Sequence, residues 1–415
     1  MRFSGFDDEW KSYRIGDISK TYSGGTPSTS KKVYYYGNIP FIKSGEINKS
    51  CTEQYINEDA INNSSAKKVK KGDLLLALYG ATSGEVAISK IDGAINQAVL
   101  KIDNNMDNYF QYNYFLKYKE KIIHKYLQGG QGNLSANIIK KLEFKFPKME
   151  EQQKISRFLL LIDEKIQLLK KKHKEYQNFK KYLMQQIFTQ KLRFKNDKQW
   201  NVYLLRNFIN EYNERMGNKS NLPILSSTLN GIFLQNEYFN KSVSSKDVKN
   251  YKIVPNGYFT YRSMSDTDKF RFNIQSIVEV GIISPAYPVF STQNIDDYFL
   301  YYYLNNSNFI KKQILSLKEG GTRYALSFSK FKKLKISLPS LEEQEKIANF
   351  LSAVDKKIDL IQTQIQKMEE FKKGLLQQMF VVRINWRCNF KLAKSPSFNK
   401  HLLILKNKII FIIIK

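Results

Sequence analysis

The sequence predicts an α+β protein built as an internal repeat: two variable blocks of mixed sheet and helix, each followed by one long helix. Three observations lead there. Pro147–Phe188 returns as Pro339–Phe380, 192 residues later and without a gap, with nearly half of the positions identical, so the architecture is duplicated. Both copies space their apolar residues alternately four and three apart, the period of a helix that buries one seam. The landmarks ahead of each block recur as well: Arg2, Phe3, Trp10, Tyr13, Ile15 and Ile18 are matched by Arg193, Phe194, Trp200, Tyr203, Leu205 and Phe208.

In the first copy the seam runs Ile155, Leu159, Ile162, Ile166, Leu169, His173, Tyr176, Lys180, Leu183 and Ile187. In the second it runs Ile347, Leu351, Val354, Ile358, Ile361, Ile365, Met368, Lys372, Leu375 and Met379. A helix from Ile155 to Ile187 is about 48 Å long at 1.5 Å per residue. That is too long for one small core, since core helices average about 11–12 residues. The simplest partner for each seam is the other copy. Pro147 and Pro339 stand where the helices would start, each ahead of two glutamates; proline in the first turn and acid near the positive end of the dipole favour that start. His173 reads as a polar seam residue that fixes register. Lys180 and Lys372, at matching seam positions near the helix ends, are expected to snorkel to water.

The totals bound the function. A chain of 415 residues holds two or three domains. Its 67 Lys and Arg outweigh 38 Asp and Glu, for a net charge of +29, which points to a polyanion: nucleic acid first, an anionic membrane second. An aromatic fraction of 14% marks folded domains rather than a basic disordered tail. Cys51 and Cys388, with His124, His173 and His401, make no metal-ligand spacing and imply no disulfide framework. The N-terminal MRFSGFDDEWK is too polar for a signal peptide, so the expected location is the cytoplasm.

The first block, from about Lys11 to Phe146, alternates turns and short strands. Gly24–Pro27 is a turn, and Val33–Ile42 is aromatic and β-branched, broken by Gly37, Asn38 and Pro40. VKKGDLLLALY at 69–79 reads as a turn and a buried strand, 80–84 as a loop, 85–91 and 97–102 as strands. A helix is expected at 109–125, a flexible QGGQGN loop at 128–133, a short helix at 134–140 and a closing strand at 142–146. The second block, about Trp200 to Leu338, follows the same plan with other residues: 251–264 stands for 69–80, 281–290 for 93–100, 296–317 for the helix, 320–324 for the loop and 334–338 for the closing strand. A kept frame with drifted blocks suggests one scaffold carrying two different readers. The tail at 381–415 is basic, ends HLLILKNKIIFIIIK, is too short in its apolar part to span a bilayer, and reads as an irregular extension or a surface anchor.

No catalytic constellation emerges. Asn38-Ile39-Pro40-Phe41 is like the loop with which amino-methyltransferases hold a flipped base, but a glycine loop for the methyl donor is missing. Asp163-Glu164-Lys165 matches the end of a nuclease motif yet lies on a long helix, as a solvated face. There is no phosphate-binding Gly-x-x-x-x-Gly-Lys-Ser/Thr loop, and Ser44-Gly45 and Ser83-Gly84 lack a hydrolase nucleophile frame. What remains is binding. The candidates in predicted loops are Lys31, Lys32, Lys43, Ser44, Thr82, Gln131 and Asn133 in the first block, with Lys67 and Lys68 beside them. In the second they are Arg262, Lys269, Arg271, Arg323 and Tyr324. Arg reads guanine bidentately, Asn and Gln read adenine, and Lys on phosphate adds affinity without sequence information. For any one of these a solvated surface role is the alternative; Arg262, Arg271 and Arg323 stand out because Arg is the bidentate reader in a Lys-rich chain. Two other readings stay open on the residues alone: a coiled-coil scaffold without sequence-specific DNA reading, and a single-chain DNA methyltransferase or nuclease.

Two variable blocks, each followed by a Pro-x-x-Glu-Glu-Gln-x-Lys-Ile helix ending in Leu-x-Gln-Gln-x-Phe, resemble the DNA specificity subunit of a type I restriction–modification system. The residues are Pro147, Glu150, Glu151, Gln152, Lys154, Ile155, Phe158, Leu159, Asp163, Leu183, Gln185, Gln186 and Phe188. In the second copy they are Pro339, Glu342, Glu343, Gln344, Lys346, Ile347, Phe350, Leu351, Asp355, Leu375, Gln377, Gln378 and Phe380. Gly129-Gly130, Gly320-Gly321 and Lys71-Gly72-Asp73-Leu74 also look like family features; Asn256-Gly257-Tyr258 departs from the last. The resemblance implies target recognition domains at 1–146 and 191–338, long conserved helices at 147–190 and 339–380, and a tail at 381–415 outside the family pattern. It implies that each domain binds one half of a split, asymmetric site on double-stranded DNA. The helices would pack as an antiparallel coiled coil with pseudo-twofold symmetry, set the gap between the halves and dock two methylation subunits, which restriction subunits join. The chain would catalyse nothing and hold no cofactor or metal, the methyl donor and nucleotide lying on partner subunits, with no membrane contact.

Overall fold

A computed structural model of the chain describes residues 2–127, 133–194, 199–217, 222–238, 248–265, 269–317 and 324–380. The described residues separate into two compact units, one of residues 2–158 with 373–380 and one within 159–372.

The first unit carries β1 Lys11–Arg14, β2 Lys20–Ser23, β3 Ile39–Ile42, β4 Tyr55–Ile56, β5 Lys67–Val69, β6 Leu74–Ala77, β7 Val86–Ile88, β8 Gly93–Ile95, β9 Val99–Asp103 and β10 Glu143–Phe146. Strands β2, β9, β6 and β7 form an antiparallel sheet in that order. A second sheet is ordered β4-β3-β8-β5, with β3 and β8 parallel. Strand β6 is buried at every position, which is why it reads as an unbroken apolar run rather than an alternation. The anticipated strands at β6, β7, β9 and β10 and the helices Asn108–Leu127 and Ala136–Lys140 are present. Strands β4, β5 and β8 went unrecognised because two or three residues are too few to show a period. The stretch 33–42 splits into a 3-10 turn, Lys32–Tyr35, and β3. Phe41 lies in β3 and is 1% exposed, so the Asn38–Phe41 loop is no base platform; the aromatic ring fills a core.

The second unit carries β11 Asn201–Leu204, β12 Ile209–Glu211, β13 Leu225–Thr228, β14 Gly231–Leu234, β15 Lys252–Pro255, β16 Phe259–Tyr261, β17 Met264–Ser265, β18 Phe272–Ile274, β19 Val280–Ile283, β20 Val289–Thr292, β21 Tyr324–Ala325 and β22 Lys335–Leu338. Its four-stranded sheet is ordered β12-β20-β16-β18, the order of β2-β9-β6-β7. Strands β15 and β19 pair as β5 and β8 do, and β11 closes on β22 as β1 closes on β10.

The long helices are Met149–Phe188 and Leu341–Met379. Pro147 and Pro339 stand two residues ahead of them rather than in the first turn. Their carbonyls accept hydrogen bonds from the side-chain amides of Gln152 (2.9 Å) and Gln344 (3.1 Å), closing the entry turn. Glu151 and Glu343 are buried and each takes an arginine from the landmark segment through two hydrogen bonds: Arg2 at 2.7 and 2.7 Å, Arg193 at 2.7 and 2.8 Å. The Gln152 and Gln344 carbonyl oxygens accept from the backbone of Asp107 and Asp296, both at 3.1 Å. Those two aspartates in turn cap the following helices through Phe110 N and Phe299 N. The Glu-Glu-Gln signature is therefore a joint that fastens a long helix to a block.

The seam is shared between partners. Leu169 meets Ile361 and Ile365, flanked by Tyr176 and Met368, the helix-on-helix contact expected. Leu183, Ile187, Ile347, Leu351 and Val354 instead lie in the core of the second block with Trp200, Phe299 and Tyr303, and Ile358 packs at its margin. Ile155, Leu159, Ile162 and Ile166 are buried too. The terminal phenylalanines do similar work: Phe188 sits 5.4 Å from Tyr303 in the second unit, and Phe380 sits 5.0 Å from Phe110 in the first. Lys372 Nζ reaches Asp163 at 2.6 Å, Lys180 Nζ reaches Asp355 at 2.5 Å and Lys170 reaches Glu369 at 2.6 Å. The first two pairs each join the N-terminal half of one helix to the C-terminal half of the other, so the helices run antiparallel. This corrects two expectations. Lys180 and Lys372 do not snorkel to water, and Asp163 is not a solvated face, because antiparallel packing carries each seam lysine to the acid near its partner's start. Glu164 and Lys165 are exposed, as anticipated.

Candidate nucleic-acid interface

Backbone hydrogen bonds bring the central strands of the two blocks into register with each other. Gly72 (φ +93°) and Gly257 (φ +82°) both turn in the left-handed region, where a β-carbon is disfavoured. Gly72 N donates to Ser89 O and Gly257 N to Gln275 O, each at 2.8 Å. Ser89 N returns to Asp73 O and Gln275 N to Tyr258 O, again at 2.8 Å. The departure of Asn256-Gly257-Tyr258 from Lys71-Gly72-Asp73 is thus one of side chains, not of backbone. With Gly72 on Gly257, the pairing of β6 with β7 and of β16 with β18 places Glu85 where the second block has Arg271. The parallel pair Phe41–Ala94 matches the isolated bridge Ile224–Ile282, which places Lys43 and Ser44 where the second block has Ser226 and Ser227. Leu134 N bonds Leu78 O at 3.0 Å, and Leu326 N bonds Ser263 O at 2.8 Å. The segment ahead of the short helix therefore docks at the end of the central strand in both blocks.

Most of the candidates collect at that strand end. In the first block Lys43 and Ser44 form a half-buried 3-10 turn beside β6. Thr82 lies half-buried in the β6–β7 loop, its carbonyl accepting from Glu85 N at 2.9 Å, and Asn133 is exposed next to Leu134. Lys31 and Lys32 are exposed but stand apart, on the turn beside β4, where Lys31 Nζ lies 3.2 Å from Tyr34 Oη. Lys67 and Lys68 lie exposed on β5, Lys68 paired with Glu58 at 2.7 Å. Gln131 and Arg323 fall outside the described residues.

In the second block Arg262, Lys269 and Arg271 line one cleft of about 720 Å³, floored by Ser226, Ser227 and Thr228 of β13. No acid lines it among the described residues. Tyr324, in β21, pairs with the cleft residue Ser265. Arg262 is exposed, while Arg271 is half-buried with its guanidinium 5.0 Å from the centre of the Tyr301 ring and Nη2 donating to the Tyr301 hydroxyl. Burial pushes the Tyr301 and Tyr287 hydroxyls above the ordinary tyrosine range, and the neighbouring Arg271 and Arg262 charges oppose that rise. Beneath the floor Asn273 Nδ2 donates to Ser227 Oγ and Thr228 O, both at 2.9 Å. Concave, cationic and polar-floored, the cleft suits an anionic ligand with hydrogen-bonding edges. The floor serines and Tyr301 were not foreseen: nothing in the string DYFLYYYL shows which of its tyrosines turns toward an arginine 30 residues away.

The family described as the type I restriction modification DNA specificity domain matches residues 7–178 and again 198–370. The chain belongs to that family. Two specificity subunits of type I restriction enzymes from Methanocaldococcus jannaschii, MjaVIII and MjaIX, are 23% and 25% identical to it. They cover 91% and 89% of this chain and 93% and 92% of their own lengths. The crystal structure of the type I restriction–modification S subunit from M. genitalium shares the fold, with a TM-score of 0.56 at 15% identity over 91% of this chain and 97% of that one. A type I specificity subunit recognises DNA sequence and is not itself catalytic, and the paired specificity domains coincide with the paired sheets. Among the described residues no helix is long and apolar enough to cross a membrane.

Proposed function

We propose that each recognition domain reads one half of a bipartite, asymmetric DNA site, that the two long helices set the unspecified gap, and that the same helices dock two methylation subunits, which restriction subunits join. One observation carries this reading. The two blocks share the strand order of their central sheet and the backbone hydrogen bonds around it, while their side chains at the end of the central strand differ, and both are fastened to a long helix by the same Arg–Glu and Gln joint. A common frame with two dissimilar readers is what an asymmetric two-part site requires. The methyl donor and the nucleotide belong on the partner subunits, and the complex works in the cytoplasm, where its DNA is. In this reading Lys43, Ser44, Thr82 and Asn133 face the first half-site, Arg262, Lys269, Arg271 and Tyr324 the second, and Lys31 and Lys32 take phosphates.

Methylome sequencing of cells expressing the chain with its methylation partner tests the proposal. Two short defined halves separated by a fixed gap are expected. A continuous motif overturns it.

A further inference from the structure

We infer that Arg271 is the guanine-reading residue of the second recognition domain, with Tyr301 as its positioning residue. The inference rests on the proposal that this domain reads one half of a split DNA site, and goes beyond it by naming the reading group and its base. Arg271 immediately precedes β18, at the rim of the cationic cleft. A guanidinium on a flexible stem loses rotamer freedom on binding; here that freedom is already spent. The group lies over the Tyr301 ring at 5.0 Å and one Nη2 hydrogen is held by the Tyr301 hydroxyl. Nε is buried without a hydrogen-bond partner, so the donors left for a ligand are on the two terminal nitrogens, the pair that matches guanine O6 and N7. Among the described residues no carboxylate forms an ion pair with Arg271.

The first block supplies an independent observation. At the equivalent point, immediately ahead of β7, stands Glu85, paired with Lys119. On matching backbone the side chain changes from a donor fork to an acceptor. A position chosen for the base it meets would change in this way, because acceptors such as Glu suit cytosine N4 and Arg suits guanine. Arg262 and Lys269 line the same cleft and are suited to phosphate.

The test uses the full chain in complex with its methylation partner. Binding is measured by competition against duplexes that carry, one at a time, every base substitution in the site found for the wild type. The wild type is expected to lose roughly 10- to 100-fold at one G·C pair of the second half. Arg271→Gln should abolish the preference for G·C at that pair, or turn it toward A·T, while leaving the first half and the gap unchanged. Tyr301→Phe keeps the ring and loses the hydroxyl, so it should weaken discrimination at the same pair only. If Arg271→Gln binds with every preference intact, or lowers affinity evenly at all pairs, the inference falls. Should Arg271→Gln prevent assembly, Arg271→Lys, which keeps charge but loses the fork, decides by the same two outcomes. Absence of a split motif in the wild type would instead remove the underlying proposal, so the two failures are distinguishable.

Discussion

Asp163 and Lys372 meet at 2.6 Å, and the same two positions of the repeat meet again as Asp355 and Lys180 at 2.5 Å. One contact made twice with roles exchanged defines a pseudo-twofold axis through the helix pair. It passes midway between Asp163 and Lys180, at Lys171 and Lys172, and midway between Asp355 and Lys372, at Thr363 and Gln364. Leu169, Ile361 and Ile365 pack close to that point.

Breaking one clamp should cost stability and restoring its charges should return it. These pairs are half-buried, with side chains 13–33% exposed, so Lys372→Ala is expected to cost about 1–2 kcal/mol, between surface and buried pairs. The reversed pair Asp163→Lys with Lys372→Asp should recover most of that. Urea unfolding of the two singles and the double gives the coupling energy; a coupling near zero would show that the pairs do not hold the register.

Removing an arginine from a joint should be more damaging than breaking a clamp. Glu343 is 1% exposed and Arg193 holds both of its oxygens. Arg193→Ala leaves a buried carboxylate unpaired and is expected to destabilise by about 3–5 kcal/mol. Arg193→Lys should recover only part, since an ammonium cannot match both oxygens. Calorimetric midpoints check the ranking.

The antiparallel register dictates how the gap can be lengthened. One heptad added after Lys171 alone leaves only one of the two clamps in register, so it should lengthen the methylated gap at a cost in stability. One heptad after Lys171 together with one after Thr363 keeps both clamps and should lengthen the gap without that cost, both half-sites unchanged. Methylome sequencing reads the gap, and an unaltered gap in both variants would sink the idea that the helices measure it.

Lys117 makes stability rise with pH over a defined window. Burial first, then the charge of Lys121, pushes its ammonium down to about 8, and its Nζ bonds Gln377 O at 2.8 Å. With the folded value below the ordinary 10.5, the unfolded chain holds the extra proton between the two, so stability increases from about pH 8 upward. Burial raises Tyr114, Tyr261 and Tyr302. The unfolded chain then ionises first and stability falls above about pH 10. Burial lowers Lys252 as well, so urea midpoints across that range should show both limbs, and Lys117→Met should shrink only the rising one.

The repeat, the long helices, the central strands and the order of elements were legible in the sequence because each is a local pattern: an apolar period, a run of leucines, a glycine in a turn. The roles of Glu151, Gln152 and Asp163 were not. Their partners Arg2, Asp107 and Lys372 lie 149, 45 and 209 residues away, and no period in a string links two such positions. For the same reason the lysines at 180 and 372 read as solvent-seeking, and Leu183 and Val354 read as facing only another helix.

By itself, then, the sequence determined that this is a duplicated, basic chain of two variable blocks, each followed by a long helix, since amphipathic spacing and net charge are properties of residues in order. The tertiary structure decided which acid each lysine meets, which part of the seam enters a block's core, and that Arg271 and Glu85 occupy one equivalent place on opposite sides of the charge scale. Those relations arise only when strands and helices distant along the chain are brought into register, where hydrogen-bond geometry and desolvation, rather than local preference, select the partners.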